Sequence, residues 1–247
     1  MTPDEVLRHA ATPLRTPVYP VRATRFTDRE YLNVVYRTDP DALRAVVPEP
    51  LRIDEPLVRF EVMRMGDVDG YGPYVESGQA IPVTLDGQPG EYLHAMYLDS
   101  FAATVSGREL SAYPKVYGSA ALRVDHGALV GTLDHGAERV ATATMAYKWD
   151  ALDLQEAAAE ITVPTFMVKI VPDVTTGRLL TAQLVRTQIV DITVTEAWTG
   201  PARLQLFAHA LAPMADLPVL EVVRASHITT DLTLSPVQTV HDYLGER

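Results

Sequence analysis

Most of the chain reads with a period of two. Apolar and polar residues alternate, with Val, Thr, Ile and Tyr frequent, through "EYLNVVYRT", "LVRFEVMRM", "EYLHAMYLD", "AALRVD", "ALVGTLD", "RVATATMAYKW", "ITVPTFMVKIV", "TQIVDITVTEAW", "ARLQLF" and "ITTDLTL". That is the pattern of half-buried strands. Connectors as short as "DHGA" suit hairpins, so the pairing is expected to be largely antiparallel. Three stretches favour helix instead. "PDEVLRHA" reads as a short N-terminal helix, and "TDPDALRAVV" offers Asp39 as N-cap with Pro40 at the first helical position. "DALDLQEAAAE" is the interior segment with clear helical character. The expected fold is mainly β, a β-rich α+β domain built as a largely antiparallel closed barrel or cone-like sheet with a few short helices. A small-molecule site would lie inside the barrel or at its mouth.

Length and composition narrow the picture. The 247 residues carry scattered prolines, no repeat and no charge block, so residues 1–247 are expected to form a single domain. The net charge of −11, with no basic run, argues against nucleic acid and against an anionic membrane surface. There is no cysteine, which removes disulfides and thiolate chemistry. The stretch "MTPDEVLRHAATPL" lacks the apolar core of a signal peptide, and no apolar run is long enough to span a bilayer. A cytoplasmic protein is expected.

The common chemical motifs are missing. The sequence holds no G-x-G-x-x-G, Walker A or G-x-S-x-G pattern, and its seven histidines show no H-E-x-x-H or H-x-H spacing. A strand histidine such as His94 more often packs than ligates. Eighteen arginines face only three lysines, Lys115, Lys148 and Lys169, a skew that base composition can also produce. Amine chemistry must therefore use one of three side chains or the N-terminus. Lys148 and Lys169 sit near strand ends, where a flexible stem carries the charge to water. Lys115 differs: in "GRELSAYPKVYGS" it follows Pro114 and is flanked by Ala112, Tyr113, Val116 and Tyr117. Pattern alone leaves it open whether this is a snorkelling loop lysine or a reactive one.

"GRELSAYPK", "LVGTLDHGAERVATATMAYK", "DITVTEAWTGPARLQLFAHALAP" and "EYLNVVYRTDPDALRAVVPEPLRIDEPLVRFEV" together resemble the acetoacetate decarboxylase family over nearly the whole chain. The resemblance implies Schiff-base decarboxylation of a small β-keto acid, acetoacetate, to acetone and carbon dioxide. It also implies no metal or organic cofactor and a homo-oligomer, a dodecamer in many relatives. It makes Lys115 the Schiff-base lysine, Arg29 the partner of the substrate carboxylate, and Glu76 and Glu61 the two acidic residues of the site. Tyr113 is expected to line the pocket. Glu76 is the better placed of the two acids to position the amine or relay protons. Read without the resemblance, Arg29 and Glu61 would be an ordinary ion pair and Glu76 a solvated loop acid.

One position departs from the family pattern of proline followed by two lysines: the second is Val116 here. The family is itself a known instance of a lysine activated by a neighbouring cation or by desolvation. At an ordinary pKa near 10.4 only about one lysine in a few thousand is neutral at pH 7. Burial alone can lower that value by about three to five units, and a charge at about 4 Å by some three units. In an extended segment adjacent side chains point to opposite faces, so desolvation is expected to activate Lys115 without a second lysine. Val116 also leaves room for two other readings: a Schiff-base aldolase- or dehydratase-like enzyme acting on other keto acids, and a keto-acid binding protein without turnover.

Overall fold

Strands buried on both faces set the architecture of the computed structural model, which describes residues 1–245. Strand β1 (Thr24–Arg37) is buried at every residue from Tyr31 to Tyr36, the mark of a strand covered on both sides. The chain opens with helix α1 (Pro3–Val6), and helix α2 (Pro40–Val46) follows β1. Asp39 caps α2 through its carboxylate, accepting from the backbone N–H groups of Asp41 and Ala42, with Pro40 in the first turn as expected. Then come β2 (Leu57–Val68), β3 (Tyr74–Leu85) and β4 (Gln88–Leu98), helix α3 (Phe101–Ser106) running into a π-helical turn (Gly107–Ser111), and the short β5 (Lys115–Tyr117). The middle of the chain holds β6 (Ser119–Asp125), β7 (Ala128–His135), β8 (Glu138–Ala146), β9 (Asp150–Ala151) and helix α4 (Leu154–Ile161). It closes with β10 (Thr165–Pro172), β11 (Leu179–Thr187), β12 (Ile189–Thr199), β13 (Ala202–Leu206), a short 3-10 turn (Pro213–Asp216), β14 (Glu221–Leu234) and β15 (Gln238–Asp242).

Two sheets result. The large one has the order β15-β11-β10-β4-β3-β2-β1-β14-β12-β9 with β5 added beside β4, and the small one has the order β13-β8-β7-β6. Pairing is antiparallel except where β4 meets β10 and β5, so mainly β and largely antiparallel hold, although the large sheet is mixed. The expected closed barrel does not. No ladder joins the two ends of the large sheet among the described residues.

The physical reason is that one continuous extended segment changes partners. Strands β11 and β12 lie far apart in the sheet order yet are separated in sequence by Gln188 alone, so the sheet must curl to bring them together. At that corner Thr187 and Gln188 bond to Ser235, with Thr187 Oγ1 donating to the Ser235 carbonyl at 2.7 Å and Ser235 N–H donating to the Gln188 carbonyl at 3.0 Å. The covalent chain closes the curl where a barrel would use a ladder.

Alternate residues of the same strands face two different interiors. One face, with Leu32, Val34, Phe60, Val62 and Ile81, packs against Leu129, Leu133, Ala143 and Met145 of the small sheet. Gly131 permits this approach: a Cβ there would lie 2.8 Å from Val62 Cγ2 and 3.1 Å from Leu32 Cδ2. The other face, with Tyr31, Met63, Met65, Leu93 and Met96, is the concave side and is closed at one end by Ala157 and Ile161 of α4.

Candidate active site

Lys115 owes its position to the turn before it. The π-helical turn ends at Ala112, whose backbone takes the left-handed φ of 72°, and Pro114 then leads into β5, where Lys115 pairs with Met96. Arg108 Nη1 donates to the Lys115 carbonyl at 2.9 Å. Lys169 Nζ donates in turn to the carbonyls of Arg108 and Glu109, and the Tyr19 hydroxyl bonds to the Glu109 carboxylate. Lys169 thus supports the turn instead of reaching for water. Lys148 pairs with Glu196 well away from this turn.

The lysine stem runs tight against Gly107, where a Cβ would lie 2.7 Å from Lys115 Cδ and 3.0 Å from Cε. Lys115 itself is only 7% exposed. Its Nζ lies 3.1 Å from Glu76 Oε2 and 5.7 and 5.3 Å from the ring centroids of Tyr74 and Tyr113. The company that the sequence suggested is therefore supplied by Tyr113 from the flanking stretch and by Tyr74 from β3. Val116 takes the opposite face of β5, and Val116 and Tyr117 are 41% and 64% exposed.

Arg29 reaches the same place from β1 through a bulge. Register slips between Phe26 and Arg29, and Asp28 adopts a φ of 52°, which re-aims the following side chain. The buried guanidinium lies between the rings of Phe26 and Tyr31, at 5.0 and 4.7 Å from their centroids, and Nη2 is 4.0 Å from Glu76 Oε1. Burial pulls the Arg29 pKa down, but the Tyr31 and Glu76 oxygens more than offset it and the net shift is upward. Its Nε has no hydrogen-bond partner in the protein, and neither does the buried Tyr31 hydroxyl.

Glu76 is a buried strand acid rather than a loop acid, and Glu61 pairs with Arg59, not with Arg29. Arg59 Nη2 lies 3.3 Å from Glu61 Oε2 and 2.6 Å from Glu91 Oε2. Burial pushes the Glu91 carboxyl up to about 7, with Glu61 adding to the rise and Arg59 opposing it. Burial also raises the phenols of Tyr74 and Tyr113, and that of Tyr31 to about 12, so all three keep their protons near neutral pH.

Two neighbouring spaces share Lys115 in their walls. An inner chamber of about 60 Å³ is lined by all five expected site residues, Arg29, Glu61, Glu76, Tyr113 and Lys115. That is several times the roughly 10–15 Å³ a single water requires, enough for a carboxylate group. An outer cavity of about 340 Å³ adjoins it, sharing Phe26, Tyr74, Tyr113 and Lys115 in its wall and adding Leu110 and Val237. Sequence reasoning missed Arg59, Glu91, Tyr31 and Tyr74. Arg59 was within reach, since it stands two residues before Glu61 and shares its strand face. Among the described residues no group of three or more His, Asp or Glu side chains is arranged to hold a metal ion. His94 is half-buried, outside both spaces, and burial lowers its pKa.

A buried amine beside a carboxylate, opening on a chamber with a spare guanidinium donor, can attack a carbonyl and hold a carboxylate next to it. The acetoacetate decarboxylase family model matches residues 11–244. An acetoacetate decarboxylase of Streptomyces nogalater is 59% identical over 245 residues, covering 99% of this chain and all of the relative. One from Clostridium acetobutylicum is 56% identical over 244 residues, with 99% and 100% covered. A solved acetoacetate decarboxylase structure superposes with a TM-score of 0.96 at 56% identity, covering 99% of this chain and 100% of that one.

Proposed function

The chain belongs to the acetoacetate decarboxylase family, and from that premise we propose that it converts acetoacetate to acetone and carbon dioxide through a Schiff base on Lys115. The observation that carries the assignment to this lysine is its amine, buried in the wall that both spaces share and 3.1 Å from Glu76.

Substrate enters through the outer cavity and presents its carboxylate to the inner chamber, where Arg29 Nε is the unpaired donor. Glu76 takes the proton from the Lys115 ammonium, and the free amine attacks the ketone carbon. Loss of water gives the iminium. The bond to the carboxylate then breaks, its electron pair flows into the iminium to form the enamine, and carbon dioxide departs. A proton adds to carbon, and water hydrolyses the acetone iminium, returning the amine. Tyr74 and Tyr113 exclude water from the nitrogen and offer neutral hydroxyls; Glu61 is held by Arg59 at the chamber wall.

The remaining expectations accompany this reading. Exposed Phe101, Tyr117, Trp149, Leu211 and Leu220 support a homo-oligomer, for which the family suggests a dodecamer. The shared large sheet beneath both cores supports one domain, and the acidic, cysteine-free composition supports a cytoplasmic enzyme. Incubation with acetoacetate should release acetone and carbon dioxide one for one, and Glu76→Gln should lower kcat by about 10²–10⁴. Consumption of acetoacetate without acetone would contradict the assignment.

A further inference from the structure

Acetoacetate is an anion, and neither acetone nor carbon dioxide is charged, so each turnover takes up one proton at the carbon that carbon dioxide leaves. Glu76 returns to its starting state within the cycle and does not by itself provide that proton. The inner chamber contains a second acidic group that the steps above leave idle.

Arg59 stands between two carboxylates, with Nε and Nη2 both 3.3 Å from Glu61 Oε2 and Nη2 2.6 Å from Glu91 Oε2. Glu61 and Glu91 are 4% and 7% exposed. One guanidinium spans two buried carboxylates here while Lys115 is paired with Glu76, and keeping both ionised is costly once the substrate's own carboxylate draws on the remaining cation, Arg29. We propose that Glu61 and Glu91 share one proton across Arg59, and that this pair is the acid that protonates the enamine carbon, with Glu61 facing the chamber and Glu91 acting through it as a positioning residue. The inference rests on the Schiff-base reading of Lys115.

The surroundings favour this division of roles. Both oxygens of Glu91 are occupied as acceptors, Oε2 by Arg59 and Oε1 by the Thr165 hydroxyl of β10 at 3.1 Å. Both Arg59 contacts fall on Oε2 of Glu61, which leaves Glu61 Oε1 to carry the proton. From α4, the Glu160 carbonyl accepts from Arg59 Nη1 at 3.2 Å, while the Glu160 carboxylate is taken up by Asn33 and Ser226. From β1, the unpartnered Tyr31 hydroxyl and Arg29 face the same chamber, joined by Glu76 of β3 and Lys115 of β5. The Glu91 carboxyl is shifted upward, chiefly by burial, with the Glu61 charge beside it adding to the rise and Arg59 opposing it.

The test separates iminium formation from proton transfer to carbon. Acetone bound to the enzyme in deuterated water exchanges its hydrogens through the enamine, and borohydride reduction traps the iminium on the lysine. Wild-type trapping of acetone on Lys115, absent in Lys115→Ala, establishes the Schiff base independently. Glu91→Gln should then slow acetone exchange at least about tenfold while trapping stays within about twofold. Wild-type exchange begins with removal of an acetone α-hydrogen by the ionised form of the same pair, so it should rise as pH rises through about 7, and the variant's slow exchange should be flat there. Glu91→Asp, which keeps a carboxyl, should recover part of the exchange and retain a pH-dependent limb. Unchanged exchange in Glu91→Gln, or trapping and exchange falling together in both variants, would overturn the proposal. Should Glu91→Gln not fold, Glu91→Asp decides: a displaced pH limb supports the pair, and an unmoved one overturns it.

Discussion

The two faces of the large sheet are built from the same strands and follow opposite rules. On β1 and β2, Leu32, Val34, Phe60 and Val62 turn toward the small sheet and form an interior without charge. One residue along, Arg29, Tyr31, Arg59 and Glu61 turn toward the concave side and line the chamber with Lys115 and Glu76. Both faces are buried. The first gains by removing apolar surface from water, about 1.5–3 kcal/mol for each large side chain. The second spends stability on buried charge and keeps it only because arginines and carboxylates answer one another. Function lives on the face that costs stability, and the other face holds the strands rigid enough to carry it.

Substitutions on either face should separate these roles. The largest effect falls on chemistry: Lys115→Ala should lower acetone production by about 10⁵-fold or more without lowering Tm, read by activity assay and thermal melting together. Phe60→Ala, on the opposite face, should lose about 3–5 kcal/mol in denaturant unfolding while the molecules that remain folded turn over normally. Gly107→Ala probes the seam between the two, because its Cβ meets the lysine stem at 2.7 Å. Displacing the amine by about 1 Å should lower kcat by roughly 10²-fold with little change in far-UV circular dichroism. The smallest effect is expected from Val116→Lys, which restores the family's second lysine at an exposed position facing away from the chamber. It should leave kcat within about twofold, as surface substitutions do. A large change there would show that the second position communicates with the amine after all.

Strands with clean alternation were legible in the sequence, as were the cap at Asp39 and the helix within "DALDLQEAAAE", although that helix starts only at Leu154 and Asp150 and Ala151 pair as a strand. Strand β3 was not, because Glu76, Ser77, Gly78 and Gln79 interrupt its apolar pattern and Pro82 reads as a breaker. The structure resolves the conflict: those polar residues are buried, and Pro82 lies beyond the last residue that pairs with β2, so no ladder bond to that strand is lost. β15 has no buried residue to produce a pattern, and exposed Leu179 and Leu180 blur the start of β11. The closed barrel failed as an expectation because alternation reports which face is buried, not which strands pair at the ends of a sheet. Of the site, the residues known through family resemblance converge. Glu91 was missed because its meaning lies in a contact between β2 and β4 that spacing cannot reveal, whereas Arg59 needed only the alternation that sets it beside Glu61.

On the proposed mechanism one buried lysine on the charged face both captures the substrate and releases carbon dioxide. Incubation with acetoacetate and borohydride, followed by peptide mass spectrometry with Lys115→Ala as control, tests it most directly. An isopropyl group fixed on Lys115, with none in the control, is the expected result. A carboxylate-bearing butyrate adduct on Lys115, or no adduct there at all, would contradict it.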